Sequence, residues 1–329
     1  MSIIDAHIHY GDDDPLLLAL LTELDLTLLN ICVVVEEADA AVSAPWRTQA
    51  KTYEALAQAH PQRFAWCTSF DLPRFDNPAY IDQVIAGLQR DFQAGAIACK
   101  IWKNIGMEVK KPNGEFFMID DELFDPIFEY LIASGKPLLT HIAEPLACWQ
   151  PLVAENPHYG YYSKNPQWHM YGRTDFPSHE QLMAARDHVL EKHPKLRMIG
   201  AHLGSLEWDV DVVAGRLDQY PNFAVDISAR LIDLVVQDSS KVREFFLKYQ
   251  DRILFGTDVV MRQKPSTMNA TDKVAAIDAL RATYQQHFAY FERNEPMVVR
   301  GRNTHGLGLP APVLEKFYRT NAQLWYPDL

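Results

Sequence analysis

The chain has 329 residues, of which 48% are hydrophobic and 22% are charged, and its formal net charge is −12. This excess of carboxylates disfavours nucleic acid or an anionic membrane as the main partner, because both attract basic surfaces. The sequence shows no apolar run long enough for a membrane span and no secretory leader, so a cytoplasmic protein is predicted. A small anionic substrate remains compatible with the charge, since a local arginine or lysine could hold it.

Eight short apolar runs, separated by longer segments with helical patterns, determine the predicted fold. The runs are Ile3–His9, Leu28–Val34, Arg63–Phe70, Ala96–Trp102, Pro137–Ile142, Arg197–Leu203, Asn222–Ser228 and Arg252–Asp258. Nearly continuous apolar runs are typical of parallel strands covered on both faces. The eightfold strand–helix alternation predicts an α/β fold, a single (β/α)8 TIM barrel over residues 1–329, with an open doubly wound sheet as the alternative.

Local signals refine this outline. Asn77-Pro78 predicts the start of one helix, and Ser178 followed by Gln181 predicts a capping box at the start of another. Residues 143–177, after the fifth strand, lack helical periodicity and are predicted to form a lid-like insertion. The four cysteines form no Cys-x-x-Cys pair and are predicted to be free thiols in a reducing compartment.

The first strand carries two histidines in Asp5-Ala6-His7-Ile8-His9. Because side chains alternate along a strand, His7 and His9 are expected on the same side of it, where both could bind one metal ion. A lone His-x-His pair is a weak signal, since two polar residues at a strand end need no function.

Other strand ends strengthen the signal. His141 ends the fifth run, His202 the sixth and Asp258 the eighth. The carboxyl ends of barrel strands converge at one mouth, where barrel enzymes hold their active sites. Imidazoles and a carboxylate suit Zn²⁺, which lowers the pKa of a bound water toward ~7, while Mn²⁺ and Fe²⁺ stay open as alternatives.

The motif set Asp-x-His-x-His, two later strand-end histidines and Gly-Thr-Asp resembles the amidohydrolase superfamily. The more similar branch is the amidohydrolase-related one, which includes decarboxylases related to aminocarboxymuconate-semialdehyde decarboxylase. The resemblance implies that His7, His9, His141 and Asp258 are metal ligands. It also implies that His202 acts on the substrate or on the metal-bound water, and a carboxylate such as Asp258 can take a proton from that water.

Several residues are predicted to bind a substrate. Arg173 and Trp168 in the insertion could line a pocket for a planar acid. The resemblance to the decarboxylases implies that Arg47, after the second strand, contacts a substrate carboxylate. Arg230, just past the seventh strand, is a further candidate. Lys100, at the end of the fourth strand, has three interpretations: a carboxylated bridge between two metals as in binuclear relatives, a cation for a substrate carboxylate, or a lysine that reaches solvent.

Lys103 is interpreted as a surface residue at the rim of the barrel. Glu144, three residues after His141, could support a ligand or contact substrate, but its interpretation as a surface loop acid is preferred. The preferred function is a metal-dependent hydrolase of a small, cyclic or carboxylated molecule with a C–O or C–N bond to cleave, such as a lactone. A non-oxidative decarboxylase on the same site is the alternative, and a non-catalytic binding barrel is disfavoured because the ligand set is complete. The substrate, the number of metals and the formation of a homo-oligomer remain open.

Overall fold

The computed structural model describes residues 2–35 and 45–329. They contain an eight-stranded parallel sheet in which strands that follow one another in the chain lie side by side. The strands are β1 (Ile3–Ile8), β2 (Leu26–Ile31), β3 (Phe64–Thr68), β4 (Ala98–Ile101), β5 (Leu138–Thr140), β6 (Met198–Gly200), β7 (Phe223–Asp226) and β8 (Ile253–Leu254). Backbone hydrogen bonds close the sheet, because Ala6 N donates to Phe255 O at 2.9 Å and Asp258 N donates to His7 O at 2.8 Å. The predicted TIM barrel is confirmed.

Helices follow the strands around the barrel. They are α1 (Pro15–Glu23), α2 (Pro45–Ala59), α3 (Tyr80–Gln93), α4 (Asn104–Met107), α5 (Asp125–Ser134), α6 (Tyr159–Tyr162), α7 (His179–Lys192), α8 (Ala201–Gly204), α9 (Val210–Gln219), α10 (Leu231–Val235), α11 (Ser239–Lys248), α12 (Ala270–Glu292), α13 (Ala311–Glu315) and α14 (Asn321–Trp325). Within the described residues, no helix combines the length and the apolar character needed to cross a membrane.

One of the two helix starts predicted from local sequence signals is confirmed. Ser178 and Gln181 form the predicted capping box at the start of α7. The start predicted at Asn77-Pro78 is wrong, because α3 begins at Tyr80. The Asn77 side chain accepts a hydrogen bond from Ala79 N at 3.0 Å, which holds these residues in a turn before the helix.

An apolar cluster fills the barrel interior. Its members are Ile4, Ala6, Leu29, Ile31, Cys67, Ile97, Ala98, Leu139, Ile199, Ala201, Ala224 and Leu254. Ala322, Trp325 and Tyr326, near the end of the chain, also belong to this cluster. All four cysteines are buried free thiols, as predicted.

Two elements lie outside the eightfold pattern. The insertion between β5 and α7 contains only short helical turns, at Leu146–Trp149, Tyr159–Tyr162 and Pro166–Trp168. A hairpin, absent from the prediction, pairs β9 (Pro296–Val299) with β10 (Arg302–His305).

Candidate active site

A cavity of about 530 Å³ lies at the carboxyl ends of the strands. Strand ends, the insertion and the β9–β10 hairpin all contribute to its wall. Among the lining residues are Lys103, His141, Glu144, His202, Arg230 and Asp258. Three of the residues predicted from strand ends therefore meet in one space, as expected for a barrel mouth.

Three potential ligands converge beside this cavity. His7 Nε2 lies 3.8 Å from Asp258 Oδ1, and His9 Nε2 lies 3.2 Å from the same oxygen. One ligand atom from each of the three residues falls within 4.8 Å of the others. No other group of three or more acidic, histidine or cysteine side chains within residues 2–35 and 45–329 is arranged so closely.

Hydrogen bonds fix the tautomers of His7, in β1, and of His9, just after it. His7 Nδ1 lies 2.9 Å from Asp226 Oδ2, and His9 Nδ1 lies 2.7 Å from the backbone oxygen of Ile31. A carboxylate and a carbonyl only accept hydrogen bonds, so each Nδ1 carries a proton and each Nε2 keeps its lone pair. This arrangement is typical of histidines that bind a metal.

His141, which lies outside this close group but lines the same cavity, is a fourth potential ligand. Its Nε2 is buried and has no hydrogen-bond partner among the described residues. Burial, reinforced by His202, holds the pKa of His141 well below its usual range, which favours the neutral imidazole that a metal needs. A buried polar atom without a partner is uncommon, and a bound cation would supply one. The donor set thus fits a divalent transition-metal ion.

Asp258 completes the donor set as an anion. Burial opposes its ionisation, but the neighbouring His9, His202 and His7 side chains favour the anion and hold the pKa of Asp258 below its ordinary value. Asp258 is therefore ionised at neutral pH, as a metal ligand must be.

His202 lies beside the potential ligands in a strained backbone segment. Its φ is +60° and that of Leu203 is +58°, a region that residues other than glycine rarely adopt. Its Nδ1 lies 2.8 Å from the backbone oxygen of Ser228, so Nδ1 carries the proton and Nε2 can accept another. Burial, with a contribution from Arg230, holds the pKa of His202 well below its usual range. Its ring centroid is 4.3 Å from that of His141.

Asp226, at the end of β7, was missed by the sequence analysis. It is fully buried, and its carboxylate bonds His7 through Oδ2 while Oδ1 accepts hydrogen bonds from the backbone nitrogens of His202 (2.9 Å) and Ser228 (3.0 Å). Burial opposes ionisation, yet His7 and the hydrogen bonds lower the pKa of Asp226 below its usual range. The same strand-end rule that selected Asp258 could have found it.

Asp226→Asn is expected to weaken metal binding about 10- to 100-fold, the usual cost of losing a carboxylate that orients a histidine ligand. Both carboxylate oxygens of Asp226 accept hydrogen bonds from N–H groups. The NH₂ group of an asparagine would face one of these donors and could not accept its hydrogen bond. Chelator competition titrations of the purified variant would measure the loss. Asp233→Asn, another buried acid, is the matched control, and equal affinity in wild type and D226N would contradict this role.

Lys103 and Glu144 are buried, so their interpretation as surface residues is wrong. The lysine Nζ pairs with the Glu144 carboxylate and lies 3.7 Å from the ring centroid of Trp168. Tyr162 donates a hydrogen bond to Glu144 Oε2 at 2.9 Å. Burial lowers the pKa of Lys103 to about 7. The insertion covers both residues, which an isolated strand-end pattern could not indicate.

Lys100 is 1% exposed, which excludes the interpretation that it reaches solvent. Its Nζ has no hydrogen-bond partner among the described residues, and burial lowers its pKa to about 8. The metal bridge and the cation for a substrate both remain predictions.

Of the other residues predicted to bind substrate, Arg230 lines the cavity, whereas Arg47, Arg173 and Trp168 lie outside its lining. Arg47 Nη1 is 2.8 Å from Asp91 Oδ2, and Arg173 stacks 3.7 Å from the ring centroid of Phe176. Trp168 covers Lys103, which does line the cavity. A direct substrate contact of these three residues stays a prediction.

Solved structures with the same fold cover nearly the whole chain. One is 2,6-dihydroxybenzoate decarboxylase from Rhizobium, with 16% identity, a TM-score of 0.54 and 99% of each chain covered. Another is dihydroxybenzoic acid decarboxylase from Polaromonas sp. JS666 with bound manganese and the inhibitor 2-nitroresorcinol, with 15% identity, a TM-score of 0.55 and coverage of 99% of this chain and 97% of that one. A third is 4-oxalomesaconate hydratase from Rhodopseudomonas palustris, with 13% identity, a TM-score of 0.53 and coverage of 99% and 96%. At these identities the likeness concerns the fold.

Comparison with curated proteins finds no match. A family model described as Amidohydrolase matches residues 4–327, nearly the entire sequence. This match confirms the resemblance that the strand-end motifs carried. The chain therefore belongs to the Amidohydrolase family.

Proposed function

We propose that the protein is a metal-dependent, non-oxidative decarboxylase of a small aromatic carboxylic acid. The observation that carries the proposal is the position of His202, which lines the cavity with His141 and Asp258, while Asp258 lies close to His7 and His9. Two proteins of similar fold are decarboxylases of dihydroxybenzoic acids, and one of them was solved with manganese. This support favours decarboxylation over the hydrolysis that the sequence analysis preferred.

His7, His9, His141 and Asp258 would hold the metal ion. When bound, a divalent cation would supply a Lewis acid that orients the acid and stabilises negative charge in the transition state. Mn²⁺ and Zn²⁺ both suit imidazole and carboxylate donors. A cavity of about 530 Å³ is of the size that takes a small-molecule ligand.

His202 would move the proton that replaces the carboxyl group. In its neutral form Nε2 accepts a proton from a hydroxyl of the substrate and returns it to the ring carbon that bears the carboxylate. The carbon–carbon bond then breaks, its electron pair restores the aromatic ring, and CO₂ leaves. The hydroxyl regains a proton from solvent, so the net reaction consumes one proton.

Product analysis tests this function. Protein reconstituted with Mn²⁺ or Zn²⁺ is incubated with carboxyl-¹³C-labelled hydroxybenzoic acids and, separately, with lactones. We expect metal-dependent release of ¹³CO₂ from at least one acid and none from chelator-treated protein. Lactone hydrolysis without CO₂ release from any acid would overturn the proposal in favour of a hydrolase.

A further inference from the structure

The cavity wall contains a buried arginine with few hydrogen bonds. Arg230 follows β7 closely and is 6% exposed. Its Nη1 donates to the backbone oxygen of Ala229 at 3.3 Å, while its Nε has no hydrogen-bond partner among residues 2–35 and 45–329. Guanidinium groups are rarely buried without a partner, so this side chain offers unused donors to the cavity.

A nearby carboxylate does not use these donors. Asp233 Oδ2 lies 4.0 Å from Arg230 Nε, which is beyond hydrogen-bond distance, and Asp233 Oδ1 is already bonded to His158 Nε2 at 2.8 Å. Asp233 therefore offsets part of the charge of Arg230. The planar fork of the guanidinium remains open to a ligand.

Two further arginines reach the same cavity from the hairpin. Arg300 and Arg302 line it, and neither forms an ion pair within the part of the chain that the structure describes. Ser239, at the start of α11, anchors the hairpin: its Oγ lies 3.3 Å from Thr304 Oγ1. The hairpin therefore contacts α11 where it contributes to the cavity wall.

The charges of the cavity leave an excess of cations. Its carboxylates are Glu144 and Asp258, while its cations are Lys103 and three arginines. Glu144 pairs with Lys103, and Asp258 belongs to the proposed metal site. Arg300 and Arg302 thus have no ion-pair partner among the described residues, and Asp233 offsets only part of the charge of Arg230, in a chain whose net charge is −12.

We infer that Arg230, with Arg300 and Arg302 in the same cavity lining, binds a second carboxylate of the substrate, so that the preferred substrate is an aromatic dicarboxylic acid. The inference rests on the proposed function, because it assigns the first carboxylate to the metal side of the cavity. A guanidinium fork matches a carboxylate with two parallel hydrogen bonds, which a monoacid held at the metal cannot use.

Isothermal titration calorimetry on the Mn²⁺-loaded full chain tests this inference without turnover. The probes are benzoate and its three dicarboxylate counterparts, phthalate, isophthalate and terephthalate. Wild type should bind at least one diacid more tightly than benzoate. Arg230→Gln should weaken the binding of that diacid about 10- to 100-fold, which corresponds to the loss of hydrogen bonds to a charged group. The affinity for benzoate should stay within about threefold of the wild-type value.

Two other variants complete the design. Arg302→Gln is a second test in case R230Q folds poorly, because Arg302 is exposed. It should weaken the binding of the same diacid by about threefold and leave the affinity for benzoate unchanged. Arg243→Gln on α11, outside the cavity lining, is the matched control and should change neither affinity.

The outcomes separate the inference from the function on which it rests. No preference of wild type for any diacid, or equal losses of benzoate and diacid in R230Q, would overturn the inference. Release of CO₂ from a monoacid would leave the proposed function standing in that case. Selective loss of diacid affinity in R230Q and R302Q supports the inference even where the product analysis shows hydrolysis.

Discussion

His7→Ala and Asp258→Ala are each expected to remove most of the bound metal and to lower activity by at least about 10³-fold. Both side chains offer ligand atoms to the same small volume, and His9 Nε2 lies only 3.2 Å from Asp258 Oδ1. Removing Asp258 also takes the only carboxylate from that group, which leaves imidazoles to face a divalent cation. A Lewis-acid metal contributes several kcal/mol to transition-state stabilisation, which sets the scale of the loss.

Metal analysis of the purified variants by mass spectrometry checks this expectation alongside the activity assay. His60→Ala is the matched control, since His60 lies at the end of α2 and does not line the cavity. Wild-type metal content in both H7A and D258A would show that these residues do not hold the ion. Retained activity without metal would show that the chemistry does not depend on it.

His202→Asn is expected to lower activity by roughly 10²- to 10⁴-fold, the usual contribution of a general acid–base group, while most of the metal stays bound. Asparagine can keep a donor toward the Ser228 backbone oxygen that His202 Nδ1 now bonds. It cannot accept and return a proton at neutral pH. The variant thus removes the proton transfer with a small change in shape.

Activity and metal content measured on the same H202N sample distinguish the two roles of this histidine. His188→Asn, at an exposed position of α7, is the control for the substitution itself. Loss of the metal in H202N would mean that His202 is a ligand. Unchanged activity would mean that the proton moves by another route.

The barrel and the gathering of polar strand ends could be predicted because both follow from local patterns. Continuous apolar runs indicate strands covered on two faces, and parallel strands bring their carboxyl ends together. His141, His202 and Asp258 needed no knowledge of loops, since each ends a strand run. Asp226 obeyed the same rule and could have been included.

Residues placed by loops and by distant partners could not be predicted in the same way. Glu144 and Lys103 carry charges that suggest a surface, and only the insertion makes them buried partners. Arg47 was predicted to bind substrate because it follows a strand end, but its guanidinium pairs with the carboxylate of Asp91 near the end of α3. The hairpin that brings Arg302 to the cavity turns at Arg300-Gly301 with φ values of +48° and +78°. A non-glycine residue with positive φ is hard to foresee from sequence.

The central claim is that one divalent metal ion binds among the strand-end residues of β1, β5 and β8. Anomalous diffraction from crystals of the Mn²⁺-loaded protein tests this claim most directly. We expect one anomalous peak, ligated by His7, His9, His141 and Asp258, with Lys100 unmodified. A peak elsewhere, or no peak at these side chains in crystals of a protein that retains manganese, would contradict the site, and two peaks bridged by a carboxylated Lys100 would contradict the single ion.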